Sequence, residues 1–360
     1  MPVTLTSLSD LASLDFDDII DVRSPAEYAE DHIPGAMSLP ALSNEERARV
    51  GTIYTRESPF RARRIGAALV ARNVASHLET VLSDRPKSWK PLLYCWRGGQ
   101  RSGSVALMLR QIGWQAETVD GGWRSYRRLV SDALYGAPWP APVVILDGNT
   151  GTAKTDMLAL LATAGLQVID LEGLANHRGS LFGAMAGGQP AQKGFETRLA
   201  LARLGLDPTR PVVVEAESSR IGAVNLPPAL WEAMKTAPRV VLGAPLAARA
   251  RYLARRYRDL TDDPARLLAT IDALSGQHPR ERIEHWRAMA QEGAFEALAG
   301  GLMESHYDPR YANQRARFED RSCEYVELQA LDEAALAAAL PRVIAAVEAL
   351  RAAWAPQGSS

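Results

Sequence analysis

The chain of 360 residues is 47% hydrophobic and 23% charged, and its formal net charge of −1 does not indicate a general nucleic-acid binder. Its length suffices for two hydrophobic cores of ordinary size. No apolar run approaches the roughly 18 residues of a membrane span, and the N-terminus lacks the pattern of a signal peptide. Two cysteines are too few for a disulfide framework or a cysteine-rich zinc site. We therefore expect a cytoplasmic protein with no membrane partner.

The first part of the chain alternates short apolar segments with helix-like segments. Helices are predicted to begin at Pro25, near Ser102 and after Gly122, and strands are predicted at residues 18–22, 37–39, 92–94 and 116–119. Such alternation predicts an α/β domain with a parallel sheet, whose functional loops lie at the carboxyl ends of the strands. We assign residues 1–136 to this domain.

A cysteine lies between a predicted strand and the helix predicted from Ser102. The loop that begins at Cys95 continues with Trp96, Arg97, Gly98, Gly99, Gln100 and Arg101. Amides without intrahelical partners, the positive end of the helix dipole and the two arginines favour a thiolate, and the glycines let the loop curl around an anion. The sequence therefore predicts a nucleophilic Cys95 in an anion-binding loop. The structural alternative is a buried cysteine at a strand end.

A proline-rich segment at residues 137–142 divides the chain, and its three prolines favour a semi-rigid linker. Strands alternate with helices again after it, with strands predicted at residues 143–146, 167–170, 212–215 and 240–242. From about residue 264 the pattern is mostly helical. We assign residues 143–356 to a second α/β domain with C-terminal helices.

The first strand of the second domain leads into a glycine-rich loop and then a helix, the order typical of a phosphate-binding P-loop. The loop residues are Gly148, Asn149, Thr150, Gly151, Thr152, Ala153, Lys154 and Thr155. Lys154 is predicted to reach phosphate oxygens and Thr155 to bind magnesium. Ala153 replaces the last glycine of the usual pattern and restricts the backbone. The loop therefore predicts phosphate binding and leaves nucleotide turnover open.

Polar residues follow two further predicted strands. Asp170, Glu172, His177 and Arg178 share one loop, a density that indicates ligand contact above a parallel sheet. Glu215 and Glu217 end another strand, where a carboxylate of a P-loop site would assist magnesium. These six residues are candidate magnesium or ligand contacts.

Arginine accounts for most of the 41 basic residues and forms clusters. One cluster is interleaved with Tyr252 and Tyr257 and consists of Arg249, Arg251, Arg255, Arg256 and Arg258. Arginine binds phosphate through two parallel hydrogen bonds and stacks on bases, so this cluster is a candidate RNA-binding face. A solvated helix face explains the cluster equally well.

Several stretches resemble known families. Asp21-Val22-Arg23, His32 to Ala36 and the Cys95 loop resemble the rhodanese fold. A larger set of stretches comprises residues 44–47, 95–102, 120–122, 148–155, 170–180, 217–222 and 307–311. Together these stretches resemble the bacterial tRNA 2-selenouridine synthases, in which a rhodanese domain is fused to a P-loop domain.

This resemblance implies a transferase that converts wobble 2-thiouridine of tRNA to 2-selenouridine through an S-geranyl intermediate. Geranyl diphosphate and selenophosphate would be its substrates. No tightly bound cofactor is expected, and Mg²⁺ could accompany the diphosphate. Two alternatives stay open: a rhodanese-type sulfurtransferase with a P-loop regulatory domain, and a non-catalytic module that binds phosphorylated ligands or RNA. The sequence gives no protein partner and no oligomeric state.

Overall fold

A computed structural model describes residues 1–97, 99–315 and 321–353, which form two compact units. The first unit comprises residues 1–137 and 190–204, and the second comprises residues 138–189 and those from 205 onwards. The predicted loop residue Gly98 and the predicted end of the second domain at residue 356 lie outside the described residues. Within those residues, no helix has both the length and the apolar character needed to cross a bilayer.

The first unit contains a parallel sheet of four strands in the order β2-β1-β3-β4. A 3₁₀-helix (Leu8–Ser13) precedes β1 (Asp18–Asp21), α1 (Pro25–Glu30), β2 (Met37–Ser38), α2 (Asn44–Arg56), α3 (Pro59–Glu79), β3 (Pro91–Tyr94), α4 (Gln100–Ile112), β4 (Glu117–Thr118) and α5 (Gly122–Tyr135). Each strand agrees with its prediction to within one residue at either end. The carboxyl end of β3 places Cys95 at the edge where the functional loops of a parallel sheet meet.

Helices α2 and α3 form a hairpin that the sequence analysis did not predict. Ser43 and Glu46 form a reciprocal capping box at the start of α2, with hydrogen bonds of 2.9 and 3.2 Å. Pro59 occupies the first turn of α3, where its missing N–H is not needed. Leu69, Val70 and other apolar residues of α3 pack into the core beside the sheet.

The second unit is built on a parallel sheet of five strands in the order β11-β10-β5-β7-β6. The remaining elements of the chain are β5 (Val143–Gly148), α6 (Lys154–Thr163), β6 (Gln167–Ile169), α7 (Leu171–Ala175), α8 (Gln192–Leu204), β7 (Val212–Glu215), β8 (Arg220–Ile221), β9 (Val224–Asn225), α9 (Pro228–Thr236), β10 (Arg239–Gly243), α10 (Leu246–Arg256), α11 (Arg258–Thr261), α12 (Pro264–Asp272), α13 (Arg280–Gln291), α14 (Phe295–Leu302), a π-helix (Met303–Tyr307), α15 (Asp308–Arg315), β11 (Cys323–Glu327) and α16 (Glu333–Ala353). The fold class is therefore α/β with a helical C-terminal region, as predicted. Strand β11, inside that region, was not predicted.

The central strand β5 carries the P-loop at its carboxyl end. Its apolar side chains share one core with α6, α10 and α16. A second core holds together α11 to α14 and includes Leu267, Ile271 and Trp286. The P-loop thus leaves a rigid sheet and lies near a helical subdomain.

Helix α8 belongs to the first unit, although the sequence analysis placed residues 190–204 in the second domain. Glu196 of α8 is buried, forms an ion pair with Arg127 of α5 and accepts a hydrogen bond from Tyr135 at 2.8 Å. Lys193 pairs with Glu30 at 2.7 Å. These partners lie far away in sequence, and a helical pattern alone cannot reveal them. The segment is therefore reassigned, while the linker at 137–142 stays a prediction.

Candidate active sites

The thiol of Cys95 is buried just beyond β3. Its Sγ accepts the backbone N–H of Gly99 at 3.4 Å and the hydroxyl of Ser102 at 3.3 Å. Burial opposes ionisation, but these hydrogen bonds, together with the charge of Arg101, lower the pKa of the Cys95 thiol. The loop therefore favours the thiolate, and the role of Cys95 as a nucleophile stays a prediction.

Arg101 is held by an acidic partner beside the loop. Its Nη1 contacts the Glu27 carboxylate at 2.8 Å, and Arg47 reaches the same carboxylate at 3.0 Å. Burial alone would raise the pKa of Glu27, but the hydrogen bond and charge of Arg101 lower it to about 2. Arg101 consequently stays near the loop as a positioned cation.

The other loop residues are more exposed. The Trp96 ring packs against Trp123, with ring centroids 4.7 Å apart. Arg97 and Gln100 are exposed to solvent. The loop therefore offers one exposed cation, Arg97, and one anchored cation, Arg101, to an anion near Cys95.

Backbone conformation explains the composition of the P-loop. Gly148 has φ 150°, and a Cβ at this position would lie 2.8 Å from the carbonyl oxygen of Leu242. Gly151 has φ 83°. Ala153 also takes the left-handed conformation, with φ 58°, at a cost of about 1 kcal/mol or more for a residue with a Cβ. The alanine thus occupies a backbone conformation that the usual glycine would adopt without strain.

Lys154 begins α6 and folds back over the loop. Its Nζ donates hydrogen bonds to the carbonyl oxygens of Gly148 at 2.9 Å and Asn149 at 3.4 Å. The same nitrogen lies 5.6 Å from the ring centroid of Tyr311. Burial lowers the pKa of Lys154, but the negative potential of nearby groups, including Glu172, outweighs burial and raises it. Lys154 therefore remains a cation, available to a phosphate in the loop.

Three of the candidate carboxylates gather beside the P-loop. The Thr155 hydroxyl donates to Glu172 at 3.0 Å, and Glu215 accepts the backbone N–H of Glu172 at 3.1 Å. Burial, followed by mutual repulsion, raises the pKa of Glu215 well above its ordinary value and that of Glu217 to about 8. Burial also raises the pKa of Glu172, against the charge of Lys154. The cluster therefore retains protons at pH values where isolated carboxylates would be ionised.

This cluster fits a magnesium ion that accompanies a phosphate. The Oε1 atom of Glu215 is buried without a hydrogen-bond partner. No group of three or more His, Cys, Asp or Glu residues in the described part of the chain is arranged to hold a metal by itself. Magnesium commonly takes only one or two protein ligands and completes its shell with phosphate oxygens and water. Thr155 and Glu172 are the residues placed to supply them.

The remaining loop candidates have structural partners. Asp170 caps α7 through the N–H of Gly173 at 2.6 Å. His177 Nδ1 accepts the N–H of Gly179 at 3.1 Å. Arg178 pairs with Asp259 at 2.8 Å, and it also borders the P-loop cavity. Of these three residues, Arg178 also lines the cavity at the P-loop.

The P-loop borders a polar cavity of about 540 Å³. Three cationic side chains line it: Lys154, Arg178 and Arg256. The hydroxyl of Thr155 and the carboxylate of Glu172 lie on the same wall. Arg256, which the sequence analysis assigned to a tRNA face, therefore borders the phosphate site.

A second cavity of about 550 Å³ adjoins the first and is lined mainly by apolar side chains. The two cavities share Thr150, Ser180, Leu253 and Tyr257. Beyond these residues the wall is formed by helices α11, α12 and α14, with side chains that include Leu267, Phe295, Leu298 and Leu302. The polar cavity at the P-loop and the apolar cavity thus meet at a common boundary.

The arginine cluster on α10 does not form one exposed face. Arg249 is buried, pairs with Asp308 and donates to the carbonyl oxygen of Thr150 at 3.2 Å. Arg251, Arg255 and Arg258 are exposed. The prediction that Arg249 belongs to a tRNA-binding face is therefore corrected, because its guanidinium is buried in an ion pair with Asp308.

The segment Tyr307 to Tyr311 supplies contacts to which the sequence analysis assigned no role. Tyr307 ends the π-helix and lines the apolar cavity, Asp308 holds Arg249, and Tyr311 faces Lys154. π-Helices are rare and often occur at functional sites. The sequence analysis included this run among the stretches that resemble the tRNA 2-selenouridine synthases, but it gave the individual residues no role.

Comparisons with known proteins agree with this arrangement. The family described as the tRNA 2-selenouridine synthase AAA domain matches residues 141–277, and the rhodanese-like domain family matches residues 4–129. The tRNA 2-selenouridine synthase of Aeromonas salmonicida is 40% identical over 254 residues, covering 69% of this chain and 67% of that protein. Those of Alcanivorax borkumensis (33%, covering 81% and 88%) and Pseudomonas syringae pv. tomato (34%, covering 85% and 91%) align over more of their length. The chain belongs to the tRNA 2-selenouridine synthase family.

Proposed function

We propose that this protein is a tRNA-modifying transferase that converts wobble 2-thiouridine to 2-selenouridine through an S-geranyl intermediate. The P-loop unit would attach the geranyl group from geranyl diphosphate. The rhodanese unit would then replace the geranylthio group with selenium from selenophosphate. The names of the relatives support action on tRNA, and the two cavities of the second unit support the first step.

The observation that carries the proposal is the boundary shared by the polar and apolar cavities. A ligand that fills both must join an anionic head to an apolar tail. Geranyl diphosphate has this chemistry, whereas a nucleoside triphosphate has no aliphatic tail. The helical wall that includes Phe295 and Leu298 would cover the geranyl chain and exclude water from its reactive carbon.

In the first step, the sulfur of 2-thiouridine would attack carbon 1 of the geranyl group. The carbon–oxygen bond breaks, and its electrons leave with the diphosphate. Lys154, Arg178 and Arg256 lie where they can stabilise that charge. Mg²⁺ would supply further neutralisation when bound, held by Thr155 and Glu172. No nucleotide hydrolysis is required, which is compatible with the strained Ala153.

In the second step, the anion loop would hold the phosphate group of selenophosphate near Cys95. Attack of the Cys95 thiolate on phosphorus would form a sulfur–phosphorus bond and release selenide. Selenide would add at carbon 2 of the base and expel geranylthiolate, and water would then hydrolyse the phosphocysteine to phosphate. The hydroxyl of Ser102, which donates to Sγ, is placed to stabilise the departing thiolate in that hydrolysis.

Reconstitution with purified protein tests the proposal. Transcribed tRNA carrying 2-thiouridine should yield S-geranyl-2-thiouridine when only geranyl diphosphate is added, and 2-selenouridine when selenophosphate follows. Nucleoside mass spectrometry distinguishes the products. Thiosulfate turnover without tRNA, together with no S-geranyl product, would instead favour the sulfurtransferase alternative.

A further inference from the structure

An open cavity of about 740 Å³ lies in the first unit, between the α2–α3 hairpin and the start of α4. Its wall is largely apolar and includes Leu42, Val50, Tyr54 and Val70. Arg63 and Arg101 are its cationic lining residues. The hairpin that builds most of this cavity contributes only Arg47, through its contact with Glu27, to the two sites described above.

The cavity is adjacent to the Cys95 loop. Gln100, Arg101 and Ser104, from the first turns of α4, line it. Ser102, in the same turn, donates its hydroxyl to the Cys95 thiol at 3.3 Å. A group attached to a base at Cys95 could therefore enter the cavity by passing one turn of α4.

The lining defines the chemistry of the ligand. Among the described residues that line the cavity, Tyr54 alone carries an aromatic ring, and nucleobases are usually bound by stacking on aromatic side chains. Aliphatic walls instead favour a flexible hydrocarbon. The two arginines match an anion close to that hydrocarbon, since a guanidinium binds phosphate through directed hydrogen bonds. The fitting ligand is an aliphatic chain beside a phosphate group.

We propose that this cavity receives the geranyl chain of S-geranyl-2-thiouridine while the base is presented to the Cys95 loop. The inference rests on the proposed function, because only the second step brings a geranylated base to this unit. The cavity would hold the leaving geranylthiolate away from water. Each unit would then have its own prenyl site: one for the diphosphate donor and one for the modified base.

Cavity-filling substitutions test this inference. Ala67 of α3 lines the cavity and is otherwise exposed, so Ala67→Phe should fill the space without disturbing the core. The exposed neighbour Ala68 does not line the cavity, and Ala68→Phe is the matched control. Ser104→Phe fills the same space from α4. With pre-geranylated tRNA and selenophosphate, we expect both filling variants to form selenouridine about tenfold more slowly or worse, and the control to match wild type.

Two further measurements separate the possible results. All three variants should geranylate 2-thiouridine tRNA at the wild-type rate and bind unmodified tRNA with wild-type affinity. Equal selenation by Ala67→Phe and Ala68→Phe would overturn the inference. Weaker binding of unmodified tRNA by Ala67→Phe would also overturn it and identify an RNA surface. If wild-type protein fails to convert the geranylated tRNA, the proposed function fails and the cavity assignment falls with it.

Discussion

Arg249 and Asp308 form a two-pronged ion pair, with Nη1–Oδ1 and Nη2–Oδ2 distances of 2.9 and 2.7 Å. Arg249 also donates to the carbonyl oxygen of Thr150, so the pair joins α10 and α15 to the P-loop. The arginine is buried, whereas the carboxylate is a quarter exposed. This geometry gives Arg249 a structural role that its exposed neighbours on α10 do not share.

Replacing Arg249 with alanine should lower the free energy of unfolding by about 2 kcal/mol, because Asp308 loses its partner and a P-loop carbonyl loses a donor. Urea denaturation gives the value. The matched control is Arg251→Ala, an exposed position on the same helix, which should change the free energy by less than about 0.5 kcal/mol. A similar loss in both variants would contradict the role given to the ion pair.

Cys95→Ala should separate the two chemical steps. Without the thiolate, selenouridine formation should fall by about a thousandfold or more, while geranylation continues in the second unit. The nucleoside profile should therefore show accumulated S-geranyl-2-thiouridine. Cys323→Ala serves as the control, because Cys323 lies on strand β11 of the second unit. Normal selenouridine levels in the Cys95 variant would rule out a catalytic thiol.

Lys154→Ala should reduce geranylation by about a hundredfold or more, because the departing diphosphate loses the cation at the start of α6. The rate is measured on 2-thiouridine tRNA, and Lys235→Ala provides a control far along the chain. Selenation of pre-geranylated tRNA should survive in both variants. Inorganic pyrophosphate should compete with geranyl diphosphate, and ATP turnover should be negligible. Robust tRNA-stimulated ATP hydrolysis without that competition would make the second unit a nucleotide-driven module.

The carboxylate cluster predicts a pH dependence of stability. Burial and the charge of Glu172 raise the pKa of Glu217 to about 8 from an ordinary value of 4.5. The folded state therefore holds this proton more tightly, and the associated stability is lost as pH rises from about 4.5 to about 8. Glu217→Gln should remove that loss, so its melting temperature should exceed the wild-type value more at pH 8 than at pH 5. The exposed Glu79→Gln is the control and should show no such trend.

We predict that the exposed arginines of α10 and α11 contribute to tRNA binding. Replacing Arg251, Arg255 and Arg258 together with alanine should weaken binding of every tRNA alike. The slope of log affinity against log salt should become shallower by about one unit or slightly less for each lost phosphate contact. Filter binding across a salt series measures both. An unchanged slope would show that these residues form a solvent-exposed helix face without a role in tRNA binding.

The sequence predicted best the features that depend on local pattern. β5, the P-loop and α6 follow from an apolar run, glycines and a helical segment, and β3 with Cys95 follows in the same way. Side-chain partners were harder to predict. Arg249 and Arg251 look alike in the sequence, yet only the distant Asp308 decides that the first is buried. Likewise, the apolar cavity of the second unit is not visible in the sequence, because its wall comes from helices that are separated along the chain.

The reassigned helix α8 has a consequence for how this protein can be divided. A fragment that stops at residue 137 would retain Arg127 and Tyr135 but lose Glu196, the carboxylate that both of them contact. A fragment that starts at residue 138 would carry α8 without the surface on which it packs. The rhodanese-like unit is therefore built from two separated segments of the chain, residues 1–137 and 190–204, and a single junction at residue 137 would not keep them together.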